Sequence, residues 1–85
     1  MKYTYTPTGV CSMKINIDID EENEKINDIQ FFGGCNGNLQ GIAALSKGKS
    51  IDEIISSLRG IDCRGRGTSC PDQLAIALEQ IKDEL

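Results

Sequence analysis

The sequence predicts an α+β domain in which a three-stranded antiparallel sheet is followed by three helices packed on one face, in the order β-β-β-α-α-α. Three observations carry this. Apolar residues alternate strictly between positions 11 and 19, a charged turn follows with a second apolar stretch behind it, and beyond Gly37 the apolar spacing changes to a helical period.

The elements follow in order. Positions 2–6 alternate Tyr3 and Tyr5 with threonines, as a short strand does, and Pro7-Thr8-Gly9 reads as a turn. In the next strand Cys11, Met13, Ile15, Ile17 and Ile19 share one face, with Ser12, Lys14, Asn16 and Asp18 on the other. Asp20 to Lys25 is a solvated hairpin turn, and a strand from about Ile26 to Gly33 returns. Facing residues of an antiparallel pair have a constant number sum, which must be even if Ile15 and Ile17 are to share a face with Ile29 and Phe31. A three-residue loop, Glu22-Asn23-Glu24, sets the sum at about 46. Ile17 then faces Ile29, Ile15 faces Phe31 and, along the same ladder, Cys11 faces Cys35.

Leu39, Ile42, Ala43 and Ser46 make one face of a helix from about Asn38 to Lys47, closed by Gly48. Ser50-Ile51-Asp52-Glu53 is a capping box, and Ile51, Ile54, Ile55 and Leu58 follow at helical spacing up to Gly60. A loop from Ile61 to Ser69 carries Cys63 and the run Arg64-Gly65-Arg66-Gly67. The last helix runs from Pro71 to about Glu84, burying Leu74, Ala77, Leu78 and Ile81, with Cys70 at or next to its N-cap.

The chain has 85 residues, the size of a single domain near the lower limit of independent folding, so a metal, a cofactor or a second subunit would stabilise it considerably. A net charge of −4 argues against binding a nucleic acid backbone. No apolar run approaches a membrane span, and positions 1–6 lack a signal-peptide core, which makes the cytoplasm the expected location.

Four cysteines and no histidine then need a chemical reason. In a reducing compartment they point to ligands or redox groups rather than structural disulfides. Cys11 and Cys35 share one edge of the sheet, and Cys70 opens a helix whose free N–H groups favour a thiolate. With Cys63 as the fourth ligand, thiolates alone suit Zn²⁺ or an iron–sulfur cluster. The duller reading of Cys11 is a small buried apolar residue. Gly33, Gly34 and Gly37 around Cys35 form either an anion nest or a plain strand-to-helix turn. Arg64 and Arg66 either hold an anion and favour the neighbouring thiolates or belong to a solvated loop. Thr68 and Ser69 read as loop and cap residues, since no histidine is present to activate a nucleophile, and the tyrosines read as packing.

Phe32-Gly33-Gly34-Cys35-Asn36-Gly37-Asn38-Leu39, Ile61-Asp62-Cys63 and Thr68-Ser69-Cys70-Pro71-Asp72-Gln73-Leu74-Ala75 closely resemble the TSCPD domain family, and the likeness covers nearly the whole of residues 1–85. The resemblance implies a small stand-alone domain related to extensions of ribonucleotide reductases, cobalamin-dependent ones above all. The reductase barrel is absent, so no catalysis is carried over. A more distant resemblance is to the NifU N-terminal type of iron–sulfur scaffold, whose Gly-Lys-Ser/Thr-x-x-Glu segment is matched by Gly48-Lys49-Ser50-Ile51-Asp52-Glu53. It places the scaffold's three cysteines on Cys11, Cys35 and Cys70. Met13 stands where the scaffold has aspartate and Ser69 where it has histidine, and both changes argue against labile cluster assembly.

The expectation is therefore an accessory protein that binds zinc or an iron–sulfur cluster at Cys11, Cys35, Cys63 and Cys70, with a ribonucleotide reductase or an iron–sulfur client as partner. The rivals are a redox dithiol serving a reductase and a nucleotide- or small-molecule-binding module using the glycines and arginines, with a homodimer interface as one place for its ligand.

Overall fold

A computed structural model describes residues 1–10, 12–33, 36–62, 65 and 67–85. The chain forms β1 (Lys2–Tyr5), β2 (Ser12–Asp20), β3 (Lys25–Gly33), α1 (Asn36–Ser46), α2 (Ile51–Leu58) and α3 (Cys70–Glu84). The strands lie in the order β1-β2-β3, both pairs antiparallel. This is the α+β arrangement that the change of apolar period foretells.

The middle of the sheet has the expected register, with Ile17 opposite Ile29 and Ile15 opposite Phe31. The turn that produces it differs. Asp20 pairs with Lys25, so the connection is the four residues 21–24, with Glu24 in the left-handed region at φ 52°. An extra residue in β3, Asn27, then shifts the ladder between Ile19–Ile26 and Asp18–Asp28. A one-residue bulge lets two residues that do not alternate share a face. Ile26 therefore joins Ile29 in the core, each nearly inaccessible to solvent. A second shift falls at Met13, beyond which Ser12 pairs with Gly33. The constant-sum ladder thus ends before Cys11 and Cys35, which lie outside the described residues.

β1 sets Tyr3 opposite Ile17 and Tyr5 opposite Ile15, so both rings lie on the core side, as their packing role requires. That side of the sheet, Ile15, Ile17, Ile19, Ile26 and Ile29, meets Ile51 and Ile54 of α2 and Leu74, Ala77, Leu78 and Ile81 of α3. Ile42 and Ala43 of α1 pack against the same cluster, and Leu39 is buried. Burying each large aliphatic side chain contributes about 1.5–3 kcal/mol, which makes the isoleucine face the main stabilising feature of a chain this small.

Helices α2 and α3 are tied by ion pairs at both ends, Lys82 with Asp52 at one and Arg59 with Asp72 and Glu79 at the other. Ser50 caps α2, its hydroxyl accepting the Glu53 N–H at 3.1 Å. The segment between α1 and α2 covers the start of the β3 edge, where Ile26 donates to Lys49 O and accepts from Gly48 N–H.

Candidate functional site

The first turn of α3 gathers chain segments from across the molecule. Ser69 is its N-cap, in extended conformation, and its hydroxyl accepts the Asp72 N–H at 3.1 Å. Cys70 is therefore the first helical residue and Pro71 the second, where a missing N–H leaves no helical bond unmade. Cys70 is 8 % exposed and opens this turn, in which Ser69 accepts the N–H groups of both Asp72 and Gln73.

Asp72 is 2 % exposed, and a carboxylate tolerates such burial only when its oxygens are well supplied with donors. Its Oδ1 accepts the Gly60 N–H at 2.6 Å and an Arg59 guanidinium N–H at 3.0 Å, and its Oδ2 accepts the Thr68 hydroxyl at 2.6 Å. Burial pushes the carboxyl up. The donors Thr68, Gly60 and Arg59, together with the Arg59 charge, outweigh burial and hold it below the usual carboxylate range.

Gln73, also buried, works in the opposite direction across the molecule. Its Nε2 donates to Thr68 Oγ1 at 2.9 Å, and its Oε1 accepts both the Tyr5 hydroxyl and the Thr8 backbone N–H at 3.1 Å. The β1–β2 turn is consequently held against the start of α3. Gly9 in that turn has φ 71°, and a Cβ there would stand 3.3 Å from Thr68 Cγ2. Among the described residues no buried side-chain nitrogen or oxygen lacks a hydrogen-bond partner.

The loop before α3 has its own anchor. The Asp62 carboxylate accepts the N–H groups of Gly65 at 2.6 Å and of Gly67 at 2.5 Å, two glycines with positive φ. This closes a small ring across the segment that carries Cys63, Arg64 and Arg66.

Of the residues singled out in the sequence, Cys70, Gly33 and Gly37 are described. Gly33 ends β3 with φ 81°, and Gly37 lies in the first turn of α1, with open space where a Cβ would stand. Cys11, Gly34, Cys35, Cys63, Arg64 and Arg66 lie outside the described residues. Their described neighbours are informative nonetheless. Thr8, three positions before Cys11, donates its N–H to Gln73. Ser12, just after it, pairs with Gly33, two positions before Cys35. Asp62 precedes Cys63, and Gly67 on the far side of that ring leads through Thr68 and Ser69 into Cys70. Among the described residues no group of three or more Cys, Asp or Glu side chains is arranged to hold a metal ion.

Ser69 is the cap that the sequence predicts, and the roles of Asp72 and Gln73 go beyond that prediction. One signal was present, since Ser69-x-x-Asp72 is a capping-box pattern. The Asp72 side chain departs from that motif by reaching Thr68, Gly60 and Arg59.

The architecture and this hub define a class: a small α+β domain whose last helix begins in a buried polar knot that ties two distant turns together. The chain belongs to the TSCPD domain family, whose model matches residues 1–82. The knot is built largely on the pentapeptide Thr68-Ser69-Cys70-Pro71-Asp72 that spells the family's name, with Gln73 directly behind it. Comparison with curated proteins and with solved structures returns no match.

Proposed function

We propose that this TSCPD domain is an accessory protein that binds a metal through cysteine thiolates, as zinc or an iron–sulfur cluster, with Cys11, Cys35, Cys63 and Cys70 as the ligands. The observation that supports the reading is the convergence just described. Gln73 holds the turn before Cys11, Asp72 holds the chain at Gly60 ahead of Cys63, and Cys70 stands in the same helical turn. With four cysteines and no histidine, a transition-metal site in this chain would be built mainly from thiolates, which suits zinc and iron–sulfur chemistry.

The bound metal would supply a closed cross-link rather than an open catalytic position. Four thiolates around Zn²⁺ leave a negative site, and the N-terminus of α3 with Arg64 and Arg66 offers the compensating positive potential. The expected setting is a reducing cytoplasm, with a ribonucleotide reductase or an iron–sulfur client as the protein served. No helix among the described residues is long and apolar enough to cross a membrane.

Protein purified without air, followed by elemental analysis, sulfide assay and an absorption spectrum, tests the proposal. Stoichiometric zinc, or iron with sulfide and thiolate-to-iron absorption, supports it. Protein that arrives and remains free of metal when offered zinc or iron with sulfide overturns it.

A further inference from the structure

Apart from the hydrogen-bonded knot at the start of α3, α1 and α2 leave an apolar strip uncovered. Leu45 is 75 % exposed and is the most exposed of the large apolar side chains among the described residues. It forms one wall of a groove of about 260 Å³ whose other apolar walls are Ile42, Ile54 and Leu58, with the exposed Lys49 and Glu53 also lining it. A protruding leucine next to an apolar groove is a knob and a hole on one surface. Such a surface complements itself when a two-fold axis places the knob of one copy in the hole of the other.

The rim charges favour the same partner. Lys49 and Glu53 are both exposed, and neither makes an ion pair with another described residue, whereas the nearby Lys82 is paired with Asp52 and Lys47 with Asp28. One cation and one anion on a single patch are satisfied by an identical patch turned through a half rotation, Lys49 meeting the other copy's Glu53 and Glu53 its Lys49. A partner of uniform charge would leave one of them opposed.

We infer that the α1–α2 face is the interface of a homodimer in which Leu45 of each copy enters the groove of the other and Lys49 pairs with Glu53 across the axis. The inference is independent of the metal reading, because Leu45, Lys49 and Glu53 are neither proposed ligands nor members of the hydrogen-bond network around Asp72 and Gln73.

Sedimentation equilibrium on the full chain, with and without chelator, is the test. The expected result is a reversible dimer that Leu45→Glu weakens by at least about 100-fold, as truncation of a central anchor does. Circular dichroism should be unchanged, since residue 45 is exposed. Lys49→Glu and Glu53→Lys should each weaken the dimer, and the two together should restore it, which loss of a purely structural contact would not do. A chain that stays monomeric at millimolar concentration leaves this face to a different protein and overturns the inference. So does a dimer indifferent to Leu45→Glu and to both charge reversals.

Discussion

The side-chain oxygen of Gln73 accepts the backbone N–H of Thr8 at 3.1 Å, joining residues 65 positions apart. The same oxygen accepts the Tyr5 hydroxyl, so one buried amide fixes both the end of β1 and the turn that leads to Cys11. Hydrogen bonds of this kind contribute modestly when made and cost more when one partner is deleted inside the protein.

Gln73→Leu keeps the volume of the side chain and strands the Thr8 N–H, the Tyr5 hydroxyl and one bond to Thr68. The expected loss is about 2–3 kcal/mol of unfolding free energy in urea. Amide exchange at Thr8 should accelerate well beyond the global change. Exchange at Thr8 that merely follows global unfolding would show that Gln73 does not hold the turn.

Asp72→Asn should cost about 2 kcal/mol near neutral pH, because the Arg59 and Thr68 bonds lose their charged acceptor. Arg59 is half-exposed, so solvent screens much of the ion pair and the hydrogen bonds carry most of the effect. The pH dependence has a definite sign. A folded-state carboxyl held below its unfolded value of about 3.9 contributes stability above that pH, and the contribution is lost as pH falls through the folded value. Urea unfolding between neutrality and acid should therefore show a shallower acid loss in Asp72→Asn than in the parent. Some acid dependence remains, since the Asn23 hydrogen bonds also hold the Asp20 carboxyl low. Equal slopes in the two proteins would contradict the Asp72 assignment.

Glu24 occupies the left-handed region at φ 52° in the β2–β3 turn, where a side chain is disfavoured. Glu24→Gly should raise the unfolding free energy by about 0.5 kcal/mol, the relief of strain slightly exceeding the added freedom of the unfolded chain. The Glu24 carbonyl, which accepts the Ile51 N–H, is retained. A lower melting temperature would mean that the turn is set by something other than backbone preference.

Leu74 is fully inaccessible and belongs to the cluster joining α3 to the sheet. Leu74→Ala should destabilise by about 2–5 kcal/mol in chemical denaturation. In a domain of this size that is a large share of the total, so the variant should be partly unfolded at 37 °C. A smaller loss would show that the core collapses into the vacated space.

The parts of the fold that depend on neighbouring residues were legible in the sequence. Ile15, Ile17 and Ile19 declare a half-buried strand, Ser50 and Glu53 declare the start of α2, and the parity argument places Ile17 opposite Ile29. What escaped depends on partners far along the chain. Nothing local to Asn27 or Met13 announces a bulge, because a bulge is a property of two strands, and so Ile26 was not placed in the core. Asp72 and Gln73 look like ordinary polar residues of a helix start until Gly60, Arg59, Tyr5 and Thr8 are brought beside them. For the cysteines, the lack of histidine restricts which metals a thiolate site would take, while their spacing contains no paired Cys-x-x-Cys to fix such a site.

The thiol count of the native protein before and after chelation reaches the central claim most directly. Metal held by Cys11, Cys35, Cys63 and Cys70 predicts thiols masked from a water-soluble reagent in the protein as purified without air and released by chelator alone, with no reductant added. Thiols already reactive before chelation, or recovered only by a reductant, would contradict it, the second outcome pointing to a disulfide-forming pair instead.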